Sequence, residues 1–329
     1  MTRVLLTGGS GFIATHILEL LLIEANLFFW YRHSVVTTVR SKSKAEKIKA
    51  VFPSYGKDRL DFSIVEDVAQ KDAFKDAVLS TPPFEAVIHT ASPFHFNAKD
   101  IQKDLLDPAV IGTTGILQAI KDRAPSVQRV VITSSFAAAE WNPMTLEQAL
   151  SNPPSGYTAS KAFAEKAAWD FLEEENPKFS LSTILPTLVF GPIVPGIHSL
   201  GSLNTSNQLI QAITMGVAKE RIPDLGGYCW VDVRDVARAH VEAMESTTAA
   251  NKRFLVAAGS YNNRIIVDLV RQNFPEYHSA LPLESAEGGN YPDGGTFKID
   301  NTRSKEVLGI SYRRLESSVV DTVNSFKTA

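Results

Sequence analysis

The chain has 329 residues, of which 44% are hydrophobic and 21% charged; this balance supports a buried core and excludes a disordered tail protein, a collagen or a small disulfide scaffold. A formal net charge of −3, from 33 basic and 36 acidic residues, provides no field for nucleic acid or an anionic membrane. Cys229 is the single cysteine, which excludes an internal disulfide and a cysteine-based metal site.

In chain order, the apolar run 3–7 (RVLLT) ends in glycines and predicts a first strand, and 13–25 has the length of a helix. The β-branched stretch 34–39 (SVVTTV) predicts a second strand. A charged helix over 42–52, ended by Pro53, a third strand over 60–65 and a helix over 71–79, ended by Pro82-Pro83, follow. Residues 86–89, 129–133 and 181–185 predict the fourth, fifth and sixth strands, separated by helices over 108–123 and 157–175. Strands alternating with helices imply right-handed βαβ units and an α/β fold, a doubly wound parallel sheet of Rossmann type. From Gly191 the pattern dissolves into Pro, Gly, Ser and Asn, as in a loop-rich cap. A helix over 233–245 and a short strand over 254–256 are expected to rejoin the sheet, and the remainder predicts a small lobe with two more helices. The expected organisation is a dinucleotide-binding domain of residues 1–190 plus 229–258, with a smaller substrate-binding lobe of 191–228 plus 259–329.

The most apolar run, 17–31 (ILELLLIEANLFFWY), is interrupted by Glu19, Glu24 and Asn26, whereas a spanning helix needs about 20 mostly uncharged residues. It predicts a buried helix running into an apolar connection rather than a membrane contact. The N-terminus MTRVLLTGGSG lacks the apolar core of a signal peptide, and the expected location is cytoplasmic.

Thr7-Gly8-Gly9-Ser10-Gly11-Phe12-Ile13-Ala14 lies between the first strand and the first helix. Glycines at such a turn let backbone approach a pyrophosphate resting on the helix N-terminus, and Ala14 is small enough for close helix–sheet packing. The spacing is G-x-x-G-x-x-A rather than G-x-G-x-x-G, so position after the first strand carries the reading. NAD sites usually end the second strand with a carboxylate for the ribose 2′-hydroxyl. Here that strand ends in Val39-Arg40-Ser41, with Lys44 a helical turn further on. A guanidinium clamps a 2′-phosphate that a carboxylate would repel, so NADPH is the expected cofactor. Lys42, Lys47 and Lys49 are expected on a solvated helix face. Asp67, after the third strand, could accept a hydrogen bond from an adenine amino group.

Tyr157 and Lys161, four residues apart, share one face of a helix. A phenol has a reference pKa of ~10 and is a poor acid near neutrality; a nearby ammonium favours the phenolate and makes the pair a proton donor to a forming alkoxide. Ser134-Ser135 ends the fifth strand, where a hydroxyl could orient the carbonyl oxygen.

These motifs resemble the extended short-chain dehydrogenase/reductases of the dihydroflavonol-reductase-like group, especially the NADPH-dependent methylglyoxal and aldehyde reductases of yeasts and moulds. The likeness runs through TGGSGFIA (7–14), VRSKSK (39–44), HTASPF (89–94), DLLDPAV (104–110), VVITSSFAA (130–138), YTASKAFAEKAAWDFLEE (157–174), PTLVFGP (186–192), LNTSNQLI (203–210) and WVDVRDVARAH (230–240). It implies that Ser135 is the catalytic serine, Tyr157 the proton donor, and Lys161 the group that tunes Tyr157 and holds the nicotinamide ribose. It further implies that Gly8, Gly9, Ser10, Gly11, Phe12 and Ile13 cradle the cofactor, with Arg40 and Lys44 on the 2′-phosphate. Asp67 and Val68 would lie at the adenine, and Val189 and Ser206 would contact the cofactor further along. The implied reaction is reduction of a ketone or aldehyde to an alcohol, and Phe94, Phe136 and Trp230 are candidate walls of an apolar substrate pocket.

Three departures stand out. Ile111 occupies a position where many relatives carry a relay Asn, the interval from Ser135 to Tyr157 is shorter than in close relatives, and 26–32 looks inserted. An NAD-dependent nucleotide-sugar epimerase or steroid dehydrogenase on the same fold, or a non-catalytic NADP(H) sensor, are the competing readings. The seven histidines show no metal-ligand spacing, so no metal is expected. The expected partners are a small carbonyl substrate and, at most, a second copy of the chain.

Overall fold

The computed structural model describes residues 1–22, 33–92, 98–141, 143–224 and 227–329. Strand β1 (Arg3–Thr7) is buried along its whole length, as a strand covered on both faces must be. It is followed by α1 (Phe12–Leu22), β2 (Ser34–Val39), α2 (Lys42–Val51), β3 (Leu60–Ile64) and β4 (Ala86–His89). Then come α3 (Asp107–Arg123), β5 (Arg129–Thr133), α4 (Leu146–Ala149), α5 (Pro153–Glu175) and β6 (Ser180–Pro186). The remaining elements are β7 (Leu188–Phe190), α6 (Thr205–Thr214), β8 (Cys229–Asp232), α7 (Val233–Glu245), β9 (Lys252–Val256), β10 (Gly259–Ser260), α8 (Asn263–Asn273), α9 (Thr302–Leu308) and α10 (Leu315–Phe326).

Seven strands pair in the order β3-β2-β1-β4-β5-β6-β9, and every pairing is parallel. Helices α1 and α7 pack together on one face, and α3 and α5 on the other, each pair enclosing its own apolar layer. The strand order reverses between β1 and β4, so a ligand crevice opens at their carboxyl ends. Caps fix several helix starts: the Asn152 side chain accepts from Ser155 N–H at 2.9 Å ahead of α5, and Asp232 accepts from Arg234 N–H at 2.8 Å ahead of α7.

The predicted strands and most helices stand within a few residues of their observed bounds, with three differences. The expected helix over 71–79 is a succession of turns whose bonds mix two spans, Lys75 N–H to Asp72 O and Val78 N–H to Phe74 O. Its helical signal came from Phe74, Ala77 and Val78, which are indeed buried, while Asp72 sits at φ 61, outside the helical region. The C-terminal lobe holds three helices after β10, not two, because α9 is only seven residues long and is stopped by Gly309 at φ 63. The expected loop-rich cap contains α6, and a second sheet in the order β10-β8-β7 stands beside it. Among the described residues no helix is long and apolar enough to cross a membrane. The 26–32 segment, Phe94 and His95 lie outside the described residues.

Candidate active site

The turn after β1 is built for close approach. Gly8 lies at φ 75 with the Ala91 backbone 3.1 Å from where a Cβ would stand, a conformation that favours glycine. At Gly9 a Cβ would fall 2.0 Å from Thr37 Oγ1, so Gly9 seats the turn against β2. Gly8, Gly11, Phe12, Ile13 and Ala14 line a cleft of about 1530 Å³ that also receives Ser135, Tyr157, Lys161, Val189 and Ser206. Gly9 and Ser10 do not line it.

Tyr157 is half-buried in the second turn of α5 and lines the cleft together with Ser135, whose hydroxyl acts on the phenol. Lys161, one turn on, holds its Nζ 5.8 Å from the Tyr157 ring centroid and donates to Ser92 Oγ at 2.8 Å. Ser92 is a functional partner that sequence reasoning missed; its only signal was its place in HTASPF. Burial pushes Lys161 down to about 8. Desolvation also raises the Tyr157 phenol, and the Ser135 hydroxyl opposes that rise. The expected lowering by Lys161 is therefore not the dominant influence on Tyr157 in this chain, because desolvation of the phenolate outweighs it.

The structure separates the two serines. Ser134 donates to the buried carboxylate of Glu165, which also receives Thr183 Oγ1 and Arg253 Nε, each at 2.7 Å. Arg253 in turn donates to Ala138 O at 2.6 Å. Ser134 is thus committed to a structural network, while Ser135 accepts from Ala137 N–H at 3.1 Å and faces Tyr157.

Two buried histidines support the strand ends. Thr7 Oγ1 accepts from Thr90 and Ala91 N–H, both at 3.1 Å, so its own proton points at His89 Nδ1, 2.8 Å away. His240 Nδ1–H donates to Val236 O at 2.8 Å, leaving Nε2 to accept from Thr133 Oγ1 at 2.7 Å. Both rings are consequently neutral. Burial, assisted by the Lys161 charge, holds His89 down to about 3, and burial holds His240 down to about 4. An unfolded histidine takes up its proton near pH 6.5, so stability is complete above that value and is lost as pH falls toward 4 and below, at about 1.4 kcal/mol per unit for each ring. Urea unfolding midpoints measured from pH 7 to pH 4.5 are expected to fall steadily; a flat profile over that window would count against this assignment.

The remaining candidates fall in three places. Arg40, Lys44 and Asp67 are exposed at the carboxyl edge of the sheet, outside the cleft lining. Asp67 Oδ1 accepts from Ala69 N–H at 2.9 Å. Val68 is buried in the layer beneath α3, 3.5 Å from where a Gly112 Cβ would stand. Phe136 lines the cleft, but Trp230 does not. Trp230 is 3% exposed and stacks on Phe190 in the lobe core at 6.4 Å, because residues alternate along β8 and its neighbour Cys229 takes the cleft side. Thr187, missed by sequence reasoning, lines the cleft with a buried Oγ1 that has no hydrogen-bond partner. The positive-φ turn, the long cleft and this orphan hydroxyl fit a dinucleotide. No cluster of three or more metal-ligating side chains occurs among the described residues.

Comparison with known proteins gives this geometry a family. The NAD dependent epimerase/dehydratase family matches residues 4–257. The chain belongs to that family. Among its extended short-chain dehydrogenase/reductases, this member is 40% identical to ketoreductase azaE of Aspergillus niger, over 98% of this chain and 97% of the relative. It is 36% identical to NADPH-dependent methylglyoxal reductase GRE2 of Saccharomyces cerevisiae, with the same coverage. Gre2 from Candida albicans in complex with NADPH matches at a TM-score of 0.88 and 38% identity, covering 99% of each chain. Yeast methylglyoxal/isovaleraldehyde reductase Gre2 complexed with NADPH matches at 0.89 and 35% identity, covering 99% of this chain and 98% of that one. The resemblance expected from the motifs is borne out. A UDP-glucuronic acid 4-epimerase from Bacillus cereus, at 16% identity and a TM-score of 0.71, shares the fold alone.

Proposed function

We propose that this chain is an NADPH-dependent carbonyl reductase that converts a ketone or aldehyde to an alcohol. The observation that carries the reading is the convergence of Ser135, Tyr157 and a half-buried Lys161 anchored on Ser92 in the cleft that begins at the glycine turn. The NADPH dependence of its relatives supports the cofactor.

Gly8, Gly11, Phe12 and Ile13 would hold the pyrophosphate at the N-terminus of α1, with Gly9 and Ser10 shaping the turn. Arg40 and Lys44 would hold the 2′-phosphate, Asp67 and Val68 the adenine end, and Val189 and Ser206 the nicotinamide end. When bound, NADPH supplies a hydride to the carbonyl carbon. Tyr157 donates its proton to the oxygen on which charge develops, and Ser135 holds that oxygen and the phenol in one hydrogen-bonded line. The Lys161 ammonium stabilises the phenolate left behind. The unit formed by 1–190 plus 229–258 binds the cofactor, and 191–228 plus 259–329 forms the substrate lobe. The proposal includes a cytoplasmic location and a monomer or homodimer, which size-exclusion chromatography with light scattering would check.

A panel of dicarbonyls, α-ketoesters, aryl ketones and branched aldehydes, followed by NADPH absorbance, tests the activity; preference for NADH, or tight NADPH binding with no reduction of any member, would overturn it. Arg40→Ala is expected to weaken NADPH binding about tenfold to a hundredfold through loss of a charge-assisted contact while NADH binding stays within about twofold. Equal weakening for both cofactors, measured by fluorescence titration, would remove Arg40 from the 2′-phosphate.

A further inference from the structure

One wall of the cleft comes from an element that carries no family motif. Phe297, on the segment leading into α9, lines the cleft. Its ring stacks on Phe136 with centroids 5.5 Å apart and planes 19° apart. Phe136 directly follows Ser135, so this flat apolar surface begins one residue from Ser135 in the cleft that Tyr157 also lines. Phe297 is presented by a turn in which Gly295 N–H donates to Pro292 O at 2.9 Å. Gly294 and Gly295 lie at φ 89 and 85 with open space around them, so backbone conformation rather than crowding demands glycine there. The turn delivers a large apolar ring that remains 44% exposed at the cleft. Such a ring at a cleft gains by taking a second flat apolar partner.

We propose that Phe297 and Phe136 form a substrate subsite for a flat apolar group, so that aryl and conjugated carbonyls are preferred over small aliphatic ones. The subsite rests on the carbonyl-reductase reading and adds its substrate class. Ethyl benzoylformate and ethyl pyruvate test it, since they present the same reacting α-ketoester and differ in phenyl against methyl. The wild-type chain is expected to favour the phenyl ester in kcat/KM by about tenfold or more, and Phe297→Ala to reduce that ratio by about tenfold, mainly through KM. Phe297→Tyr, which keeps the stacking face, is expected to retain the ratio. Reduction of both esters with no phenyl preference, or with a ratio unchanged in Phe297→Ala, overturns the subsite alone. Failure to reduce either ester or any other carbonyl with NADPH overturns the carbonyl-reductase reading and the subsite with it.

Discussion

Tyr157→Phe is expected to lower carbonyl turnover by about a thousandfold while leaving NADPH affinity within about twofold. The half-buried ring lines the cleft beside Ser135, and phenylalanine keeps that ring, so the substitution removes a proton donor without opening a cavity. Folding should lose no more than about 1 kcal/mol, the worth of one polar contact. Burial also keeps the phenol protonated well through neutrality, which suits it to donate rather than accept during reduction. Single-turnover absorbance with saturating NADPH, paired with a binding titration, separates chemistry from affinity. A variant that turns over at the wild-type rate would remove Tyr157 as the acid, and one that fails to bind NADPH would show that its role is structural.

Lys161→Met is expected to abolish most activity yet make the cofactor-free chain more stable at pH 7. Burial pushes the lysine from its usual 10.5 down to about 8. At neutral pH the ammonium remains protonated in folded and unfolded chains, so its desolvation costs about 3 kcal/mol of folding stability. Methionine fills a similar volume without charge. After losing the Ser92 hydrogen bond, the variant should still gain about 2 kcal/mol. The sign reverses with alkali: between pH 8 and 10.5 the unfolded wild-type chain keeps a proton that the folded chain has shed. Wild-type stability therefore rises across that window and the advantage of the variant narrows. Urea unfolding at pH 7 and pH 10 checks both parts, and equal midpoints at pH 7 would sink the idea that Lys161 is held at the expense of stability. Active-site groups that weaken the fold in this way are a recognised compromise between stability and function.

Local signals carried much of the fold. The strands at 3–7, 34–39, 86–89 and 129–133 and the helix at 233–245 have their predicted bounds, because continuous β-branched runs suit a sheet covered on both faces and a 3.6-residue apolar period suits α7. The same logic failed at 71–79, where Phe74, Ala77 and Val78 reach the core from turns as well as they would from a helix. Helix α9 was illegible because seven residues barely complete two turns of any period. The pairing of Tyr157 with Lys161 was legible for a local reason, since both lie on one helix face.

Near neighbours along the chain set the alternating elements, the glycine turn and the Tyr157–Lys161 pair. Which side chains share the cleft depends instead on long-range packing. Glu165 and Arg253 draw Ser134 away and leave Ser135 to Tyr157, Ser92 meets Lys161, Trp230 turns into the core, and Phe297 arrives from the C-terminal lobe to cover Phe136. Each of these outcomes is set by burial and hydrogen bonding between residues far apart in the chain, and backbone periodicity holds no record of such distant contacts.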